Sequence, residues 1–135
     1  MTVTELAKLA GVTPDVIRYY TRIALLKPTR NADNNYKQFG SDDVKCVRFI
    51  RRAQRLGFTL AEIAEIMETS RQGITPCPMV RETIQRRIEE NGRALAELVA
   101  LQNRMENTLS QWEAMPDEAP DGHAICGLIE SIEEM

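Results

Sequence analysis

The sequence predicts a mainly α protein: a winged helix-turn-helix head, one long dimerisation helix, and a C-terminal loop with a short helix. Three observations predict it. Two short apolar-faced segments flank Gly11 and Thr13-Pro14. Lys27 to Gly40 then breaks the helical period with Pro28, Asn31, Asp33, Asn34 and Asn35. From Val80 to Trp112, apolar residues recur in steps of three and four. A chain of 135 residues suits one small domain with a helical extension.

The first helix opens on Thr2-Val3-Thr4-Glu5, a capping box whose hydroxyl and carboxylate are placed to satisfy the opening amides. Leu6, Leu9 and Ala10 give it an apolar face, and Gly11 permits a tight turn. Thr13 and Pro14 read as N-cap and first residue of a second helix, from which Val16, Ile17 and Tyr20 pack inward. Helix, Gly turn, helix is the helix-turn-helix pattern. Tyr36-Lys37-Gln38-Phe39 alternates like a strand after its turn formers, which makes a β-hairpin wing. Ser41 is placed to cap a third helix through Arg55, with Val44, Val47, Ile50 and Ala53 facing the core and Gly57 ending it. Thr59-Leu60-Ala61-Glu62 is a second capping box and opens a fourth helix to about Glu68.

Ser70 to Pro78 reads as a linker. The long helix follows, from Met79 to Ala114, with its stripe at Val80, Ile84, Ile88, Leu95, Leu98, Leu101, Met105, Leu109 and Trp112. At ~1.5 Å per residue it runs for ~50 Å, too far for so small a head to cover. A two-stranded coiled coil, and hence a homodimer, is the simplest cover. Pro116, Pro120 and Gly122 make the next segment a loop, and Ile125 to Ile132 reads as a last amphipathic helix. The expected divisions are a DNA-binding domain over 1–69, a linker over 70–78, the dimerisation helix over 79–114, and the loop with its terminal helix over 115–135.

Charge is unevenly shared. Residues 1–75 hold 12 Lys and Arg against 8 Asp and Glu, while the remainder holds 5 against 12. A basic head meets phosphate and an acidic tail does not. The basic residues are also grouped. Arg18, Tyr19, Tyr20 and Arg22 lie on the second helix, Arg30, Tyr36 and Lys37 on the wing, and Arg48, Arg51, Arg52 and Arg55 on the third helix. Guanidinium groups bind phosphate bidentately and read guanine edges, and tyrosine hydroxyls donate to phosphate. These residues, with Thr13, are the expected contacts to double-stranded DNA.

The segments TELAKLAGVTPDVIRYYTRIALLKP and RRAQRLGFTLAEI, with a tyrosine-bearing wing between them, resemble the MerR family of transcriptional activators over residues 2–68. Two departures fall at turns. Thr21-Arg22-Ile23-Ala24-Leu25-Leu26 stands where the family has Glu-Lys/Arg-x-Gly-Leu-Leu, and Asn34-Asn35-Tyr36-Lys37 where it has Asn-Gly-Tyr-Arg. Ala24 and Asn35 thus replace glycines free to take positive φ, so strain is expected there. The resemblance implies an antiparallel coiled-coil homodimer on a two-fold operator between promoter elements set too far apart. It further implies that effector binding bends and underwinds this promoter DNA so that RNA polymerase engages.

In metal-responsive members a cysteine at the start of the dimerisation helix completes a site made by the partner's C-terminal loop. Cys77 matches the first and Cys126 the loop's second cysteine; Asp117 stands nine residues earlier, where the loop's first cysteine is expected. Asp117, Asp121 and His123 are the other candidate ligands, with Glu118 beside them. Two thiolates with carboxylate or imidazole donors suit a borderline divalent ion, Zn²⁺ foremost, with Cd²⁺, Pb²⁺ or Co²⁺ as alternatives. Cys46, inside the third helix, reads as a small buried hydrophobe.

The N-terminus lacks a basic-then-apolar export signal and no apolar run approaches a membrane span, so a cytoplasmic protein with reduced thiols and no membrane partner is expected. No nucleophile–base pair, Gly-rich phosphate loop or two-carboxylate cleft points to an enzyme. Two other functions fit the same residues. One is a regulator whose Cys77 and Cys126 sense oxidants or electrophiles. The other is a metal-buffering protein without a DNA function.

Overall fold

A computed structural model describes residues 1–30, 32–34 and 36–133. Its elements are α1 (Val3–Ala10), α2 (Pro14–Arg22), β1 (Thr29–Arg30), β2 (Lys37–Gln38), α3 (Ser41–Arg55), α4 (Leu60–Arg71), α5 (Cys77–Trp112) and α6 (Gly127–Glu130). Contacts divide the chain inside α5 into two units, Met1–Arg87 and Ile88–Met135. Among the described residues no helix is long and apolar enough to cross a membrane.

The first unit is built around Leu6 and Ala7 of α1, Ile17 and Tyr20 of α2, Val47 and Ile50 of α3, and Ile63, Ile66 and Met67 of α4. Leu25, Leu26, Phe39 and Phe58 fill in from the connecting turns, and Met79, Val80 and Ile84 of α5 pack against this cluster. Burying one such side chain contributes ~1.5–3 kcal/mol. The apolar face of α1 is rotated from expectation: Ala7 is buried and Leu9 is 56% exposed. The expected wing is present as the antiparallel pair β1–β2, with Arg30 opposite Lys37 and Thr29 opposite Gln38. Asn31 and Asn35, expected as turn formers, lie outside the described residues.

Local chemistry explains most boundaries. The Thr13 hydroxyl caps α2 by accepting the Val16 amide, and Pro14 stands where no N–H is needed. Thr59 and Glu62 form the reciprocal box expected at α4. At α1 only half of the expected box forms. Thr2 accepts the Glu5 amide, but the Glu5 carboxylate takes the Thr2 hydroxyl rather than an amide. Ser41 was expected as the cap of α3 and is instead its first residue; the Gly40 amide donates to the Asp43 carboxylate at 2.8 Å. Helix α4 runs to Arg71 rather than Glu68, with the Thr69 hydroxyl returned to the Glu65 carbonyl. The long helix starts at Cys77, because Pro78 is tolerated in a first turn, and it ends at Trp112. The terminal helix is only Gly127–Glu130, shorter than expected.

The turn after α2 carries the strain expected at Ala24. The Leu25 amide bonds to the Tyr20 carbonyl and the Ala24 amide to the Thr21 carbonyl, a Schellman closure that requires a left-handed residue. Ala24 supplies it at φ 64, where Gly57 closes α3 with the same pair of bonds. A left-handed alanine costs ~1–2 kcal/mol. Ala24→Gly is therefore expected to raise the unfolding free energy by about 0.5–1 kcal/mol after the added unfolded-state entropy of glycine. Denaturant titration checks this, and a less stable variant would contradict it.

Within the first unit, Arg87 of α5 clamps the start of α4. Its Nη2 lies 2.8 and 2.7 Å from the two Glu62 carboxylate oxygens, and Nη1 donates to the Gly57 carbonyl. The Thr59 amide and then this guanidinium hold the Glu62 carboxyl below its usual range, against partial desolvation. A depressed folded pKa contributes stability above the unfolded value and loses it as pH falls through the folded one. Wild type should therefore lose more thermal stability than Glu62→Gln between neutral pH and about pH 3. Parallel melting curves would show that Glu62 carries no such linkage.

Candidate nucleic-acid interface and metal loop

Helix α2 presents Arg18, Tyr19 and Arg22 to solvent. Arg18 pairs with Asp15 at 2.8 Å, one turn earlier, and both side chains are largely exposed. Such a pair is worth little in water, so it does not commit the Arg18 guanidinium. The Arg22 guanidinium lies 5.4 Å from the centroid of the Tyr19 ring, a cation–π contact that steadies both side chains. On the wing, Tyr36 is 73% exposed, and its amide donates to the Asn34 carboxamide. Arg30 and Lys37 are exposed on the two strands, and Arg51, Arg52 and Arg55 are exposed along α3. The Thr13 hydroxyl serves as the cap of α2.

Tyr20, expected as a DNA contact, is 2% exposed. Its hydroxyl donates to the Gln54 side-chain oxygen at 2.7 Å and ties α2 to α3 from inside. The ring belongs to the core and supports its neighbours rather than meeting a ligand. Tyr19, one residue earlier, is exposed on the outer face of α2, and Tyr36 is exposed on the wing.

The second unit carries the candidate ligand loop. Asp117, Glu118 and Cys126 line one cavity of about 220 Å³, walled by Met115, Ile125 and Leu128. Asp121 and His123 are exposed on the turn before Cys126. The Asp121 carboxylate accepts the amides of His123 at 2.8 Å and Ala124 at 3.1 Å, and these bonds hold its carboxyl below the usual range. Sequence reasoning missed Glu130. One of its oxygens accepts the amides of Cys126 and Ile125, which lowers its pKa and anchors the cysteine backbone. The signal available was a carboxylate four residues after Cys126.

Cys77 is exposed at the start of α5 in the first unit, its amide directed to the Thr75 hydroxyl. Cys46 is half-buried, and burial raises its thiol pKa, which suits a packing residue. Among the described residues no three His, Cys, Asp or Glu side chains come together as a metal site. The donor types lining this cavity, one thiol and two carboxylates, are chemically suited to a divalent cation once they are drawn together and further donors are supplied.

Comparison with known proteins covers nearly all of the chain. The family profile described as MerR HTH family regulatory protein matches residues 1–70, and the one described as MerR, DNA binding matches residues 44–108. The mercuric resistance operon regulatory protein of Shigella flexneri is 33% identical over 133 residues, 98% of this chain and 88% of the relative. Heavy metal-dependent transcription regulator 2 of Rhizobium meliloti is 30% identical over 132 residues, 98% of this chain and 86% of the relative. Among solved structures, the transcription regulator PbrR691 of Ralstonia metallidurans, in complex with lead(II), shares the fold. Its TM-score is 0.77 at 22% identity, covering 97% of this chain and 98% of that one.

Loss of the Tyr20–Gln54 bond separates a core role from a surface role. Tyr20→Phe is expected to cost about 1 kcal/mol of stability and to leave duplex DNA affinity unchanged. A stable variant with weakened DNA binding would return Tyr20 to the interface.

Proposed function

The chain belongs to the MerR family of helix-turn-helix regulatory proteins, which are transcription regulators and not enzymes, and from that premise we propose that it is a metal-responsive activator acting on promoter DNA in the cytoplasm. The carrying observation is that Asp117, Glu118 and Cys126 line one cavity, in a chain that also carries a basic DNA-binding head. Two full-length relatives named for heavy-metal and mercuric responses support the metal reading.

The acting species is a homodimer. Ile88, Leu95, Leu98, Val99, Leu101, Met105 and Leu109 on α5 are between 38 and 67% exposed, a stripe that a second α5 would cover as an antiparallel coiled coil. Two heads then meet the two halves of a two-fold operator through α2 and the wing. Arg18, Tyr19, Arg22, Arg30, Tyr36 and Lys37 form the contact set.

A divalent ion, Zn²⁺ foremost among Zn²⁺, Cd²⁺, Pb²⁺ and Co²⁺, would be held by Cys126 of one chain and Cys77 of the other. Asp117, with Glu118, would contribute oxygen. His123 and Asp121 would follow as outer candidates, since the Asp121 carboxylate already holds two amides. When bound, the ion supplies positive charge and a link between the two chains. Bending and underwinding a promoter costs of order 1–6 kcal/mol, and a link made only in the distorted complex shifts the balance toward it. RNA polymerase then engages the shortened spacing.

Mixing Cys77→Ser and Cys126→Ser chains tests the shared site. Each variant alone should bind no ion tightly and still bind operator. The mixed dimer keeps both cysteines at one of its two sites, so metal binding under strict reduction should return at half the wild-type amount per mixed dimer, about a quarter in an equal mixture after random exchange. If confirmed subunit exchange restores no metal binding, the two cysteines do not share a site.

A further inference from the structure

We infer that Arg48, Arg51, Arg52 and Arg55 form a single pocket for one phosphodiester group of the DNA backbone, at the turn between α1 and α2; this rests on the DNA-binding reading above and assigns the arginines a specific partner. The four residues fall at positions i, i+3, i+4 and i+7 of α3, so they share one face of that helix. They line a cavity of about 140 Å³ whose other wall is the Gly11–Val12 turn, and no carboxylate lines it.

The pocket is built rather than merely crowded. Arg48 Nη2 donates to the Leu9 carbonyl at 3.3 Å, at the negative end of α1, which holds that guanidinium over the cavity. The Gly11 and Val12 amides both bond to the Ala7 carbonyl, so neither is free for an anion, and among the described residues that line the cavity the guanidiniums are the side-chain donors. The acids of α3, Asp42 and Asp43, stand in its first turn, at the opposite end. Like charges three and four residues apart oppose helix formation. One anion between them removes that opposition, and guanidinium forks match phosphate oxygens in pairs.

Position favours DNA over a free anion. The turn leads through Thr13 directly into α2, the helix that carries Arg18. A duplex whose groove receives α2 therefore runs its backbone past the start of that helix. The contact is with phosphate, so it fixes register and reads no base.

The test uses the full chain and a fluorescent duplex selected by it from a random library. Affinity is measured across a KCl series. Arg51→Gln and Arg55→Gln should each weaken binding several-fold and reduce the slope of log affinity against log salt by about 0.9, the value for one phosphate. The Arg51→Gln/Arg55→Gln double variant should lose no further slope, and Arg51→Lys should keep the wild-type slope. A methylphosphonate scan of the duplex should then find one position per half-site that weakens wild type and leaves Arg51→Gln unaffected. Unchanged slopes in variants that bind DNA, or a double loss of slope in the double variant, would overturn the single-phosphate pocket while leaving the DNA-binding reading intact. A wild type that selects no duplex would overturn both. Saturation by inorganic phosphate alone in the millimolar range would make the free anion the ligand and overturn the DNA assignment.

Discussion

The exposed apolar stripe of α5 is the constraint on which the rest depends. Seven large side chains between Ile88 and Leu109 face solvent in a single chain, and burying each contributes ~1.5–3 kcal/mol. Of α5, the core of the first unit takes in Met79, Val80 and Ile84, at the very start of the helix. A second copy is the natural cover. The proposed two-fold dimer would account, with one operation, for a two-fold operator and for a ligand loop that is short of donors by itself.

The head gains its rigidity differently. Its helices are short, and isolated helices of such length are marginal in water. They persist because each end is closed by a specific bond and because α2 and α3 are tied by Tyr20 and Gln54. Arg87 then fastens α5 to the α3–α4 corner through Glu62 and Gly57. A displacement of the first turns of α5 therefore acts on α4 as a unit. That is the property a regulator needs if an event beyond the head is to change how the head grips DNA.

What was legible in the sequence was local. Thr13-Pro14, the Thr59 and Glu62 box, and Gly57 state their roles within four residues, and the structure places helix boundaries beside them. Ala24 was legible as a misfit because the closure of α2 demands positive φ wherever the chain turns so tightly. What escaped was either long-range or ambiguous in kind. Arg87 meets Glu62 across 25 residues, with no sequence signal beyond opposite charge. Tyr20 serves equally as surface donor or core ring, and only its contact with Gln54 decides. Leu9 looked like core because α1 is amphipathic, yet its small neighbour Ala7 is what fits against the other helices. In the loop, Asp121 was legible as a possible ligand, but its oxygen is committed to the turn that presents Cys126.

The distribution of charge follows the same division of labour. Basic residues sit on α2, the wing and α3, where phosphate is expected, α5 is balanced with five Arg and five Glu, and residues 113–135, where a cation is expected, hold seven Asp and Glu and no Lys or Arg. One measurement bears on the whole account: native mass spectrometry of the reduced full-length chain with Zn²⁺ added. The account predicts a dimer, twice the 15.3 kDa chain mass, carrying one zinc ion per chain. A monomer that binds zinc alone, or a dimer that binds none, would contradict it.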